Sequence, residues 1–377
     1  MDEQRIGSLD RILELPDLFT LRIVQMNELI SRMYELRNGG LDRISKLPNL
    51  TEMEEMGSRK DELGIGGLDR ISELPDHLLH HILFFIPMQD VVQTCFLSRS
   101  WRRVCYSNPI FKFILHSYCH PFDQRYIKFF DNAMQRFHKH ETGMQKFNIF
   151  ASIKGGPEFV RMVDRWIEIS LEKNVQELEI QIYKYDLPQS IFASKSLHTL
   201  CLSGITMSSI FTTYTRVFSL RKLSLYGVSL EEQTLQYLIF KFPFIENLAL
   251  KGGEGDGILI NLQKLRVSGL CNLKEFTIFA WQALEEIDID APSLKSFHYG
   301  SGLGMNNIKI KTGATKNVET LSITHDTTIT YQQFHDLISK FPLLKCLHVE
   351  QCHMLKEIKI SSNQLQRFCF VDSFFTP

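Results

Sequence analysis

Apolar residues recur in one short frame along more than half of the chain. The frame has an apolar residue, two variable residues, an apolar residue, one variable residue and another apolar residue, as in LHTLCL at 197–202 and LRKLSL at 220–225. Because side chains alternate between the two faces of a strand, each frame predicts a short β-strand with one buried face. The frames begin at Met144, Val175, Leu197, Leu220, Ile245, Leu262, Leu273, Leu284, Leu294, Val318, Leu344, Leu355 and Leu365.

The distance between frames indicates what each repeat contains besides its strand. Successive frames from Val175 to Ile245 lie near 22 to 26 residues apart, which leaves room for a helix after each strand. Frames from Leu262 to Leu294 follow one another at 10 or 11 residues, which leaves only a strand and a turn. Stacked strand frames of this kind are typical of leucine-rich repeats. We therefore expect an α/β fold, in which residues 144–377 form an irregular leucine-rich repeat solenoid with a curved parallel sheet.

A different apolar pattern, with helical spacing, runs from Leu68 to Phe113. The first predicted helix opens at Leu74 and Pro75, since proline is tolerated where no helical hydrogen bond is needed, and it ends at Pro87. Two further short helices are predicted, and the last of them carries Trp101. The apolar side chains outnumber what so small a unit can bury in itself, so part of this surface is expected to meet a partner.

The residues of this helical stretch resemble a known family. The run LPDHLLHHIL, then IP, then VVQTCFLSRSWRRV is similar to an F-box, in particular to the plant form with Leu-Pro-Asp, an apolar helix, a proline and a Leu-Ser-x-x-Trp-Arg turn. One departure is that Cys105 and Tyr106 stand where relatives often carry a second tryptophan. The repeats likewise resemble the leucine-rich region of plant F-box proteins, through a Val-Asp-x-Trp-Ile helix at 163–167 and the strand at 175–180.

The resemblance implies a short three-helix F-box that docks on a Skp-type adaptor, and through it on cullin and RING ligase subunits. The alternative is that the same apolar residues form only the core of a small helical domain. On the family's pattern the docking residues are Leu74, Pro75, Leu79, Ile82, Leu83, Pro87, Leu97 and Trp101.

The patterns divide the chain into four predicted parts. Residues 66–113 are the F-box and residues 144–377 the repeats, with a helical bridge at residues 114–143 between them. In residues 1–65 the opening phrase of the F-box occurs twice more, without the tryptophan-bearing helix. We expect this segment to be a partial duplication that is flexible for the most part. The alternative is a self-docking segment that competes for the adaptor surface.

Composition bears on the partners and the compartment. The chain of 377 residues has a net charge of −1, so its overall charge does not attract nucleic acid or an anionic membrane electrostatically. The most apolar run, at 78–88, is about half the roughly 20 residues that a membrane span needs. Eight cysteines without a CxxC pair, and an N-terminus without a secretory pattern, indicate reduced thiols in the cytoplasm or the nucleus.

No pattern in the chain indicates catalysis, a cofactor or a metal site. The glycine-rich KGGEGDG at 251–257 lacks the Gly-Lys-Ser/Thr ending of a phosphate-binding loop. His77, His80 and His81 share a helical face, but a closed zinc site needs further ligands. The run CLHVEQCH at 346–353 offers a similarly weak metal pattern. Because no nucleophile has an identifiable base beside it, we expect a non-catalytic protein.

The repeats predict a binding surface instead. In each frame the variable residue between the last two apolar positions faces the open side of the sheet. The resulting row is mixed in charge, which suits a protein or peptide partner better than nucleic acid. Arg266, Asp288 and His298 lie in the middle of this row and are the predicted target contacts.

These expectations combine into one predicted function with named rivals. We expect a substrate-recognition subunit of an SCF-type ubiquitin ligase, whose F-box docks the adaptor and whose repeats bind a target protein. One alternative is a leucine-rich interaction protein outside any ligase, or a truncated product that sequesters the adaptor. Another is a receptor that senses a small ligand on its open face.

Overall fold

The computed structural model describes most of the chain after residue 73. The described residues are 74–85, 91, 99–115, 124–139, 141–151, 156–207, 217–229, 231–252, 263–279, 284–301, 308–326, 328–352, 354–355, 358, 360 and 364–371. Those between 74 and 91 and those from 100 onward belong to one compact unit. The duplicated segment at residues 1–65 lies outside the described residues, so its role stays a prediction.

The helices of the described part stand at the start of the chain and between some of the strands. The helix at Tyr331–Ser339 begins where it does because Thr330 and Gln333 form a reciprocal capping box at its start. The helices are α1 (Asp76–Phe85), α2 (Arg99–Tyr106), α3 (Gln124–Lys139), α4 (Pro157–Glu172), a short 3-10 helix (Gln189–Ala193), α5 (Glu232–Lys241) and α6 (Tyr331–Ser339).

The strands form two parallel sheets. Eleven of them make one sheet in the order β1-β2-β3-β4-β5-β6-β8-β10-β12-β13-β14, and three make a second sheet in the order β11-β9-β7. The strands are β1 (Ile110–Leu115), β2 (Lys146–Ala151), β3 (Glu177–Ile182), β4 (Thr199–Ser203), β5 (Lys222–Tyr226), β6 (Asn247–Lys251), β7 (Lys264–Ser268), β8 (Glu275–Phe279), β9 (Glu286–Asp290), β10 (Ser296–Gly300), β11 (Lys309–Thr312), β12 (Thr320–Thr324), β13 (Cys346–Glu350) and β14 (Arg367–Val371).

The described returning segments lie behind the eleven-stranded sheet and are here called the back layer. Its helices contact one another in chain order, α3 with α4 and α4 with the 3-10 helix, and α5 contacts β7. The side-chain amide of Gln236 in α5 donates to the carbonyl of Arg266 in β7 at 2.8 Å. Lys340, directly after α6, donates to the carbonyl of Ile310 in β11 at 2.7 Å. The second sheet therefore takes the place of helices between α5 and α6.

The apolar core lies between the eleven-stranded sheet and the back layer. At its N-terminal end it is aromatic: Phe113 of β1, Phe130 of α3 and Trp166 of α4 are each less than 1% exposed. Their ring centroids lie 4.8 to 5.0 Å apart, within the range of favourable aromatic pairs. Farther along, the apolar frame residues fill the core, as Leu248 and Leu250 of β6 do.

The predicted α/β fold, with short helices followed by a long parallel sheet, is confirmed. The sheet begins earlier than the predicted repeats, because β1 at Ile110–Leu115 pairs in register with β2. Strand β11 has no leucine frame and was not predicted. The frame at Leu355 falls largely among residues outside the described part.

The closely spaced frames are arranged differently from the expectation. They do not follow one another in one sheet, because β7 and β9 belong to the second sheet while β8 and β10 lie between β6 and β12 in the first. A full repeat therefore still consists of one strand in the long sheet and one returning segment. In this region the returning segment is a strand instead of a helix, and it buries the same kind of apolar pair, such as Ile287 and Ile289 of β9.

Candidate functional site

The face of the eleven-stranded sheet that points away from the back layer is here called the front face. In most of its strands the residues on either side of the central position are buried and the central residue is half-buried, as in β4, β6 and β10, whereas the residues of β14 are exposed. The register of the strands places the central residues side by side in one row: Lys112, Asn148, Glu179, Cys201, Ser224, Ala249, Thr277, His298, Ser322, His348 and Cys369.

Two of the three predicted target contacts do not belong to this row. Arg266 and Asp288 are paired residues of the second sheet, in the back layer, where Arg266 Nε lies 3.8 Å from Asp288 Oδ2. Only His298 stands on the front face. The prediction that the three residues share one surface is therefore wrong, because the same frame serves strands of both sheets. Contact of any of the three with a target stays a prediction.

His298 is partly enclosed by its neighbours on the front face. Its Nε2 lies 3.9 Å from a carboxylate oxygen of Glu275 on the adjacent strand. Burial lowers the pKa of His298, and the nearby Glu275 carboxylate partly opposes that effect. The imidazole is therefore mainly neutral at pH 7, and it can accept as well as donate a hydrogen bond.

A depression of about 310 Å³ lies on the front face where β3, β4, β5 and β6 run side by side. Its floor is made of small central-row residues, Cys201, Ser224 and Ala249. Glu179 lies at the β3 side, and the exposed ring of Tyr226 is part of its lining. Burial raises the pKa of the Cys201 thiol, which keeps it protonated and poorly nucleophilic at neutral pH. The depression is therefore a concave binding surface, and none of its lining side chains is an activated nucleophile.

Two charged side chains stand at opposite sides of the depression. Glu179 accepts a hydrogen bond of 2.8 Å from the Asn148 side-chain amide. Lys251 lies over the ring of Phe279, with its Nζ 5.2 Å from the ring centroid. Within the described part of the chain, neither Glu179 nor Lys251 has an oppositely charged side chain at ion-pair distance. Both charges are thus available to a bound partner.

The predicted adaptor contacts divide by exposure. Leu79, Leu83 and Trp101 are no more than 2% exposed, so they pack inside the helical unit. Leu74 and Ile82 are half-buried and Pro75 is exposed, while Pro87 and Leu97 lie outside the described residues. Direct contact of these residues with an adaptor stays a prediction.

Three half-buried residues, Leu74, Leu78 and Ile82, form an apolar stripe at and just before α1. Leu78 and Ile82 are four residues apart on one side of α1, and Leu74, four residues earlier, lies just before the helix begins at Asp76. The buried pair of Leu79 and Leu83 lies beside this stripe. Leu78 was not among the predicted contacts, although its helical spacing from Ile82 is visible in the sequence.

Polar contacts hold α1 against α2. Arg103 donates to both carboxylate oxygens of Asp76, at 2.6 and 3.2 Å, and this bond lowers the pKa of Asp76. His80 Nε2 lies 3.1 Å from the carbonyl oxygen of Val104. His80 thus contacts α2, whereas His77 and His81 are exposed. Cys105 is buried and donates from Sγ to the carbonyl of Val91 at 3.1 Å.

Among the residues that the structure describes, the weak metal patterns do not gather into a site. His348 Nε2 lies 3.1 Å from a carboxylate oxygen of Glu350, and Cys352 is buried with its thiol directed at the Ile323 carbonyl. Nowhere in the described part do three His, Cys, Asp or Glu side chains come together as metal ligands would. Among the same residues, no helix has the length and apolarity that crossing a membrane requires. The glycine-rich run falls outside the described residues from Gly253 onward.

Comparison of the sequence with known families gives two matches. The F-box domain family matches residues 71–113. The family described as At1g61320/AtMIF1, LRR domain, matches residues 136–345, which is more than half of the chain.

Relatives in Arabidopsis thaliana are F-box proteins by name, and most of these names also include an LRR repeat. The F-box/LRR-repeat protein At3g18150 is 27% identical over 207 residues, covering 52% of this chain and 41% of the relative. The F-box/FBD/LRR-repeat protein At1g78750 is 27% identical over 236 residues, covering 58% and 49%. The FBD-associated F-box protein At4g10400 is 30% identical over 229 residues, covering 59% and 53%. The chain thus spans about half the length of the curated relatives it matches.

Proposed function

Because the chain belongs to the F-box/LRR-repeat proteins of plants, we propose that it is the substrate-recognition subunit of an SCF-type cullin-RING ubiquitin ligase. The predicted resemblance to this family is confirmed by the two family matches. The observation that carries the proposal is an F-box joined, in one chain, to a leucine-rich sheet with an accessible front face. Proteins of this family are typically non-catalytic receptor subunits, so the proposal assigns the chain no chemistry of its own.

The proposed mechanism is tethering. The F-box binds a Skp-type adaptor, which connects it to cullin and RING subunits, and the front face binds the target protein. Holding a target lysine near an activated ubiquitin raises its effective concentration without any catalytic residue of the receptor. We also propose that this assembly works in the cytoplasm or the nucleus, which the reduced thiols expected from the sequence support.

The half-buried stripe is the part of α1 that we propose for the adaptor. Leu83 and Trp101 are unsuitable as single tests, because truncating side chains that are 2% exposed leaves cavities in the helical unit. Ile82 is half-buried, so a charged residue there changes the surface with less damage to the core. His77 is exposed on the same helix and provides a matched control.

The test is capture of a purified plant Skp-type adaptor by the full chain and by two variants. We expect Ile82→Glu to weaken binding at least tenfold, because it places a carboxylate in an apolar contact. His77→Glu should bind within twofold of the parent. Circular dichroism of each variant verifies that the chain is folded.

Two results would contradict the proposal. If the folded parent does not bind the adaptor, the proposed ligase function is ruled out, and the alternative of a leucine-rich interaction protein outside any ligase is favoured. If Ile82→Glu binds as tightly as the parent, α1 does not present its stripe to the adaptor. In cells, loss of a bound target that depends on Ile82 would separate a working receptor from a product that only sequesters the adaptor.

A further inference from the structure

The depression on the front face comes from three successive small side chains. Along the central row Cys201, Ser224 and Ala249 stand between Glu179 and the β-branched Thr277. Thiol and methyl groups make most of this floor apolar, and the ring of Tyr226, which is 47% exposed, borders it. Such a floor is complementary to one large apolar or aromatic side chain of a partner.

The charges beside the depression restrict what flanks that side chain. Glu179 attracts a basic group at the β3 side, and Lys251 attracts an acidic group at the β6 side. Another carboxylate near Glu179, that of Glu177, already pairs with Lys146 at 3.1 Å. Glu179 and Lys251 are thus the two charges that line the depression and lack an ion-pair partner among the described residues.

The spacing of these two charges matches an extended chain. Strands β3 and β6 are three strand spacings apart, about 14 Å at roughly 4.8 Å each. Lys251 is in register with Gln181, two residues beyond Glu179, so the Cα atoms of Glu179 and Lys251 are about 16 Å apart. In an extended segment, residues i and i+4 lie about 13 Å apart and residues i, i+2 and i+4 face the same side. The glutamate and lysine side chains are long enough to cover the remaining few ångströms, so one extended segment that crosses the strands obliquely can contact both charges and the floor between them.

We propose that this depression binds an extended segment of the target with a basic, a large apolar and an acidic side chain at positions i, i+2 and i+4. The large side chain lies over Cys201, Ser224 and Ala249. The basic side chain meets Glu179 and the acidic one meets Lys251. The inference rests on the proposed function only in that the segment belongs to the protein the receptor recognises.

The probe is a displayed library of random 12-residue peptides selected on the purified full chain. We expect the enriched peptides to share the basic, apolar and acidic side chains at spacing two. A synthetic peptide of the enriched sequence should bind Ala249→Trp at least tenfold more weakly, because the indole fills the depression. Ser296→Trp, on the front face of β10 and outside the depression, should bind it within twofold of the parent.

Charge exchange tests the assignment in a way that general damage to the fold cannot imitate. Selection on Glu179→Lys should enrich an acidic residue in place of the basic one, and selection on Lys251→Glu should enrich a basic residue in place of the acidic one. The inference is overturned if no shared pattern is enriched, if Ala249→Trp retains full binding, or if the exchanges leave the pattern unchanged. Adaptor capture by the same protein then shows separately whether the proposed function stands.

Discussion

At the scale of single residues, one carboxylate connects two helices of the back layer. Asp131 of α3 is 9% exposed. Its Oδ1 accepts hydrogen bonds from Arg165 at 2.5 Å and from the Trp166 indole at 2.8 Å, and its Oδ2 accepts one from Gln135 at 2.7 Å. A buried carboxylate with this many donors is far more costly to lose than a surface one.

Removing this carboxylate should destabilise the protein. We expect Asp131→Ala to lower the free energy of unfolding by about 2 to 3 kcal/mol, because the Trp166 indole N–H and the Arg165 guanidinium lose their acceptor. The measurement is urea denaturation followed by tryptophan fluorescence. Asp336→Ala is the matched control: Asp336 is exposed on α6, and we expect a change below about 0.5 kcal/mol. Equal effects of the two substitutions would contradict the assigned role of Asp131.

The sequence does not reveal which acidic residues have this role. Asp131 lies 34 residues before Arg165, and nothing in the local pattern distinguishes it from an exposed helical aspartate such as Asp336. Burial of Leu83 and Trp101 was similarly undecided, because helically spaced apolar residues can face a core or a partner. Contacts between distant segments decide both cases, and a local pattern carries no information on them.

At the scale of elements, the sequence predicts strands better than it predicts their neighbours. The apolar frame marks β3 to β6 correctly, because each frame needs one buried face whatever lies beside it. The frame cannot say that β7 pairs with β9 and β6 with β8, since strands of both sheets bury their apolar pairs in the same core. The depression escaped prediction for a related reason: it exists only once Cys201, Ser224 and Ala249 are in register.

Engineered cysteines test this alternation of strands. In the structure Arg266 pairs with Asp288 on neighbouring strands, which are about 4.8 Å apart and within the reach of a disulfide. We therefore expect Arg266→Cys combined with Asp288→Cys to form a disulfide in most molecules after mild oxidation. Peptide mapping under non-reducing conditions distinguishes this bond from bonds to the natural cysteines.

The matched control pairs the neighbours that a single continuous sheet would have. With Arg266→Cys and Thr277→Cys, we expect no bond between the new cysteines, because Thr277 lies in the long sheet and Arg266 in the back layer. Bond formation in this control, together with none between positions 266 and 288, would show that the strands follow one another in one sheet.

At the scale of the whole molecule, lysine–glutamate ion pairs connect neighbouring repeats, at residues just before or within their strands. Lys274 donates to Glu246 at 2.6 Å, Lys311 to Glu286 at 2.7 Å and Lys345 to Glu319 at 2.8 Å. Each hydrogen bond to a lysine lowers the pKa of its glutamate below the ordinary value of 4.5. The pairs are exposed, so each one contributes little, and high salt screens them.

These lowered pKa values determine how the stability of the repeats changes in acid. A glutamate whose pKa is lower in the folded state stabilises it above pH 4.5, and this contribution is lost as the pH falls below that value. We expect a variant with all three glutamates replaced by glutamine to melt a few degrees below the parent at pH 7 and at the same temperature near pH 3. Scanning calorimetry at both pH values, with and without 1 M NaCl, measures the difference. Because the pairs are exposed, salt should reduce the gap at pH 7; a gap that persists unchanged near pH 3 would mean that packing of these side chains, and not their charge, stabilises the junctions between repeats.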